Sequence, residues 1–221
     1  VFISKKYYGI DNPQVDESLN KLANWYKRTG QVYSEREIHK ELLNRQESRM
    51  NGDIASLVET YKNLSFSHRR EGIDIFQSVN PLKDAIEVID LMENPDLNLK
   101  FEVLLDLGDT YISFGRIQSA RKAYLECWML INDDQTMRKT IEDRFSKPVR
   151  VRNVQIPKTY PLPPIGEEIG ETIPGSIALK YDVDINGQTI NIEVIESNPE
   201  GIIDNEAIKV INKVVYRPKY I

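Results

Sequence analysis

One cysteine and two histidines leave thiol and metal chemistry little to use in a chain of 221 residues. With Cys127 alone, no disulfide forms within the chain. His39 and His68 each lack a second ligand at the spacing that zinc sites use, so both read as surface or helix-packing residues. No apolar run approaches the ~20 residues of a membrane span. There is no glycine-rich phosphate loop and no strand-to-helix nucleophile elbow. An excess of basic residues is missing too. Lys and Arg number 29 against 34 Asp and Glu, giving a net charge of −5 with both signs interspersed, which argues against a nucleic-acid surface. No catalytic residue, cofactor or metal ligand is assigned, and the chain reads as a non-enzyme. It opens on Val1 rather than methionine, which leaves room for a signal peptide or membrane anchor upstream and decides for neither.

What is present divides in two, a multidomain α then α+β chain with a helical array over 1–147 and a small β-hairpin/helix domain over 148–221. Asp16 opens a segment with Leu19, Leu22, Ala23 and Tyr26 at helical spacing. Ser34 and Glu37 have the spacing of a capping box ahead of Ile38, Leu42 and Leu43. Asn51-Gly52-Asp53 punctuates the chain before Ile54, Leu57, Val58 and Tyr61. Asn80-Pro81 is expected to start a further helix, and Asn94-Pro95-Asp96 to break the chain before the clearest helical pair. Beyond Pro148, β-branched residues dominate. Pro157, Pro161, Pro163, Pro164 and Pro174 make 156–173 an extended linker or an irregular edge segment.

Leu104, Leu107, Gly108, Tyr111 and Gly115, followed by Ala120, Ala123, Tyr124 and Cys127, resemble the tetratricopeptide pattern of two interlocking antiparallel helices. Gly108 and Ala120 let the helices approach, Tyr111 and Tyr124 fill the space between them, and Cys127 takes a packing position. Leu22, Ala23, Tyr26 and Gly30 echo the pattern, but a ~34-residue step does not carry Leu57 to Leu107. The array is therefore degenerate, and an ordinary helical bundle is the alternative. Stacked pairs imply a concave binding surface, which Glu102, Leu105, Asp109 and Ile112 would face; a solvated helix face is the other reading.

In the tail, Ile177, Leu179, Tyr181, Val183 and Ile185 alternate with polar neighbours, and Ile190, Ile192 and Val194 alternate back. Asn186-Gly187 between them signals a type I′ hairpin turn. Asp204 is expected to cap a helix carrying Ala207, Ile208 and Ile211 inward. Asp182, Asp184, Asn186, Gly187 and Glu193 also satisfy the EF-hand loop expression. An EF-hand needs flanking helices, and both flanks here have period two, so the hairpin reading is preferred to calcium.

From Gly175 through Asn186-Gly187, then Ile192-Glu193-Val194, Asp204 to Ile211 and Tyr216-Arg217-Pro218, the tail resembles the carboxy-terminal domain of TonB-family proteins. Tyr160-Pro161 is similar to that family's Tyr-Pro motif. The resemblance implies a periplasmic protein of a Gram-negative bacterium that works in energy transduction. Its partners would be other proteins, either plug peptides of outer-membrane transporters or an ExbB/ExbD-type motor. Tyr160, Pro161, Tyr216, Arg217 and Pro218 become candidate partner-binding residues. In the family the partner's strand lies beside the final strand, and little chain follows Pro218 here. That edge should be filled by the extended segment 149–156 or stand open to strand addition. The alternatives in function are a stand-alone repeat scaffold and a cytoplasmic repeat adaptor.

Overall fold

The computed structural model describes residues 2–9, 12–49, 53–131, 134–152 and 174–220. They form two compact units, Val1–Arg138 and Lys139–Ile221. In the first, a short helix α1 (Phe2–Tyr8) precedes α2 (Pro13–Arg28), α3 (Val32–Glu47), α4 (Ile54–Glu71), α5 (Ile75–Asp90), α6 (Leu97–Ser113) and α7 (Ile117–Met129). α2 packs on α3, α4 on α5 and α6 on α7, while α3–α4 and α5–α6 contacts join the pairs.

Local chemistry sets the pairing. The connections 29–31, 72–74 and 114–116 turn on Gly30, Gly72 and Gly115 at φ of 73°, 67° and 71°, a left-handed conformation that costs glycine little. These glycines lie 42 and 43 residues apart. The first helix of each pair opens on a side-chain cap: Asn12 accepts from Gln14 N–H, Asp53 from Ser56, and Asp96 from Asn98 and Leu99. The repeat is thus longer than the ~34 residues expected. Helices of 16 to 18 residues in the first two pairs, with the links 48–53 and 91–96, stretch it. In the true register Leu19, Tyr61 and Leu104 occupy one buried row, and Ala23, Ser65 and Gly108 the small-residue row beside it.

Several expected starts move. Asp16 does not cap α2; it is buried and pairs with Arg45 and Arg49 at 2.6 and 2.5 Å. Ser34 and Glu37 lie inside α3, whose cap position, Gln31, makes no side-chain capping bond to the helix. α5 starts at Ile75 behind Asp74, leaving Pro81 inside the helix and in the core.

The second unit holds most of α8 (Gln135–Phe145), then β1 (Val149–Arg152), β2 (Ser176–Val183), β3 (Thr189–Asn198), α9 (Asp204–Ile211) and β4 (Val215–Arg217). Two antiparallel pairs form, β1 with β4 and β2 with β3. The pairing of Val149 with Arg217 and Arg150 with Tyr216 answers the question of that edge: the chain's own extended segment fills it. Phe145, fully buried, accepts a backbone hydrogen bond from Tyr220 (3.2 Å) and meets its ring edge-on. The compact tail therefore reaches back into α8, ahead of the boundary expected at 147/148.

β2 turns Ile177, Leu179, Tyr181 and Val183 inward as the alternation requires, but Ile185 is 69% exposed because the strand has ended. The hairpin turn also differs from expectation. Gly187 N–H reaches Asp184 O and Asp184 N–H reaches Gln188 O, giving a three-residue loop with Gly187 alone at positive φ. In β3 Asn191 sits at φ 52° where the register shifts, so Ile190 is turned outward and Thr189 inward. Asp204 is not a cap but a first-turn residue that accepts from the Ser197 hydroxyl. Ile208 and Ile211 are only half-buried, so the face shared by hairpin and helix is thin.

A Cβ at Gly108 would overlap the ring of Tyr124, which is fixed by its own hydrogen bond to Asp109 (2.9 Å). Gly108→Ala should therefore destabilise the helical unit by about 1–3 kcal/mol in urea unfolding, despite alanine's better helix propensity. Tyr124→Leu in the same chain should recover part of the loss. A stabilised Gly108→Ala variant would contradict the close approach of α6 and α7.

Candidate functional site

The tail places its expected binding residues inside. Tyr216 and Arg217 are 6% and 3% exposed, and Pro218 is buried as well. The Tyr216 hydroxyl meets that of Tyr181 at 2.6 Å, its N–H donates to Gly187 O, and the Arg150 guanidinium interacts with both phenols. Burial and the Tyr181 contact raise the Tyr216 pKa. Arg217 stacks over the Phe145 ring. These residues hold β4 to its surroundings rather than presenting a surface. Tyr160 and Pro161 lie outside the described residues.

What the tail does offer is the hairpin. Among the described residues each of β2 and β3 has a single strand partner, so each keeps one edge of unpaired backbone groups. Among the described residues, Ile190 and Ile195 on β3, with Ile185 and Ile202, are the tail's exposed large aliphatics. The bulge at Asn191 turns Ile190 outward, and alternation alone gave no sign of it.

The calcium-like string is consumed by the turn. Asp184 accepts from the N–H groups of Asn186 and Gln188, both at 2.8 Å, and Asp182 accepts from the Asn191 amide at 2.9 Å. Glu193 lies across the strands from Lys180, 4.0 Å away. No cluster of three metal-ligating side chains occurs among the described residues. Calorimetric titration with calcium should show no saturable heat; a micromolar site lost in Glu193→Gln would contradict the hairpin reading.

In the helical unit the expected groove row is packed away. Leu105 and Ile112 are 4% and 2% exposed, and Asp109 receives the Tyr124 hydroxyl. Glu102 is the partly open member. The surface that α2, α4 and α6 do share is a cleft of about 210 Å³ lined by Lys27, Lys62, Phe66, Arg69, Asp106 and Thr110, among others. Lys27, Arg69 and Arg70 all stand over the Phe66 ring, at 4.9, 5.2 and 5.4 Å. Asp106 accepts an ion pair from Lys62 at 3.6 Å, yet burial raises its pKa against the pull of Lys62 and Arg69. Sequence reading missed this cleft because it assembles one end of α2 with the middles of α4 and α6, and the wrong repeat length hid that register.

Behind the cations lies His39, 5% exposed. Burial, with Lys27 and Arg70 nearby, lowers its pKa from 6.5 to about 4. Glu35, 3.9 Å from its Nε2, is already paired with Arg70. As pH falls below 6.5 the unfolded chain takes up this proton before the folded one. Stability should drop between pH 6.5 and about 4, by up to roughly 3 kcal/mol. Urea melts across that window should show the slope, and His39→Gln should flatten it; an unchanged slope would contradict a buried neutral imidazole.

Among the described residues, then, the helical unit carries a charged cleft and the small antiparallel module keeps strand edges with no partner strand. The family comparison makes the second half specific: residues 167–221 match the family described as the Gram-negative bacterial TonB protein C-terminal. The chain thus carries a TonB-type carboxy-terminal domain behind a helical region, and that family is a non-enzymatic one serving energy transduction for outer-membrane transport. No curated protein matches the sequence. Among solved structures, the chain is similar to the crystal structure of BtubC (BKLC) from P. vanneervenii, at 19% identity and a TM-score of 0.49, over 71% of this chain and 59% of that one. The chain thus spans under two thirds of that protein's length. No helix among the described residues is long and apolar enough to cross a membrane.

Proposed function

We propose that this is a periplasmic interaction protein of the TonB family, accessory to or part of an energy-transduction system for outer-membrane transporters. The observation that carries the reading is the family match over 167–221. In this reading the tail binds an extended segment of a transporter by strand addition, and the helical repeats hold a second partner. Among the described residues β2 and β3 each keep one edge without a partner strand, which supports strand addition there, since backbone pairing needs unsatisfied N–H and C=O groups in a row. β4 does not serve in this reading, because β1 lies on one of its edges and the Gly187 carbonyl takes the Tyr216 N–H on the other.

That same pairing favours a second reading, in which the tail is structural and the chain is a repeat scaffold with no role in transport. Synthetic peptides covering the amino-terminal plug segments of the source organism's outer-membrane transporters separate the two. Under the first reading at least one peptide binds, shifts the NMR amide signals of β2 or β3, and loses binding when proline replaces a central residue. No binding by any plug peptide, or binding indifferent to a complete proline scan, would sink strand addition and leave the scaffold.

A further inference from the structure

The cleft on α2, α4 and α6 has a charge pattern that selects its ligand. Of the cations around Phe66, Arg70 is spent on Glu35, and Lys62 lies between Glu59 (3.5 Å) and Asp106 (3.6 Å). Lys27 and Arg69 are different. Among the described residues neither pairs with a carboxylate. Lys27 makes no hydrogen bond there, and Arg69 directs one to the Thr110 hydroxyl, at 3.4 Å, leaving most of its guanidinium donors unspent. Both side chains are half-buried over the same ring, so the pair of charges is held in place rather than swinging in solvent.

We propose that this cleft binds an acidic, extended segment of a partner protein. One carboxylate of the segment sits between Lys27 and Arg69, and an apolar neighbour lies on the open part of Phe66. The inference deepens the reading that the helical region holds a partner, and rests on it. Three observations choose this occupant. Two unspent cations match one carboxylate, which Arg can grip with paired donors. Glu59 and Asp106 on the same wall would repel a nucleic-acid backbone, whose charges recur at every residue, whereas one carboxylate can be placed clear of them. At about 210 Å³ the cleft falls below the ~300 Å³ where small-molecule pockets begin, but it admits one or two side chains of a longer chain.

Three fluorescein-labelled dodecapeptides test it, sharing one leucine and serine frame and carrying several Glu, Gln or Lys residues at the same positions. Fluorescence anisotropy is read with the full chain. The Glu peptide should bind about tenfold tighter than the Gln peptide, and the Lys peptide should bind least. Its affinity should fall about tenfold in Lys27→Gln/Arg69→Gln, and also as NaCl rises from about 0.05 M to about 0.5 M. Phe66→Leu, which keeps the bulk and removes the ring, should weaken both the Glu and the Gln peptide. Equal binding of Glu and Gln peptides, or a double variant that binds as wild type does, would overturn the inference while leaving the helical region a peptide binder. No binding by any of the three would overturn both.

Discussion

A strand with unpaired backbone groups in a partly buried site has to find a partner, and β4 finds one in β1. Much of the tail depends on that pairing. β4 is short, and its flanking residues Val214 to Pro218 are buried, so its N–H and C=O groups have little access to water. β1 supplies partners on one side and the Gly187 carbonyl receives the Tyr216 N–H. Around the pair, the Arg150 guanidinium interacts with the phenols of Tyr216 and Tyr181, while Phe145 collects Tyr220 and Arg217. The hairpin face under α9 stays thin by comparison. Among the described residues the tail is thus anchored at its β1–β4 end and without a further strand along the hairpin, and the proposed binding surface follows from that asymmetry.

The helical unit solves a different problem, that of stacking helix pairs closely enough to share a core. A small residue at Ala23, Ser65 and Gly108 lets each pair close, and a left-handed glycine 42 or 43 residues after the last reverses the chain. That long period fixes which side chains meet. It brings Lys27 from the end of α2 over Phe66 of α4, and sets Thr110 of α6 against Arg69. The unpaired charges of the cleft follow from the register of the repeat.

Much of this was legible in the residues. The strict alternation of β2, the punctuation at Asn94-Pro95-Asp96 and the interlock of Gly108 with Tyr124 could be read directly, because each is a local pattern with one physical solution. The misreadings have physical causes. Assuming a ~34-residue repeat hid the recurrence of Gly30, Gly72 and Gly115, although all three glycines were visible. Asn186-Gly187 suggested a two-residue turn, but the Asp184 carboxylate holds the N–H groups of Asn186 and Gln188 and stabilises a longer loop. Ile190 could not be placed, since a bulge at Asn191 reverses the strand's faces and nothing local announces it. Leu105, Asp109 and Ile112 were assigned to a groove from register within a single repeat, and their packing shows what that register lacked. Tyr216, Arg217 and Pro218 came from family resemblance, which points to a segment without saying whether this chain covers it.

Hydrogen exchange on the unliganded full chain tests the central claim most directly, because it reads the backbone pairing itself. If β1 fills the β4 edge, the amides engaged between Val149–Arg152 and Val215–Arg217 should exchange slowly and together. The outward-facing amides of the hairpin edges should exchange much faster. Rapid exchange throughout β1, with β4 amides as open as those hairpin edges, would contradict the account and return the final strand to the list of surfaces free to bind a partner.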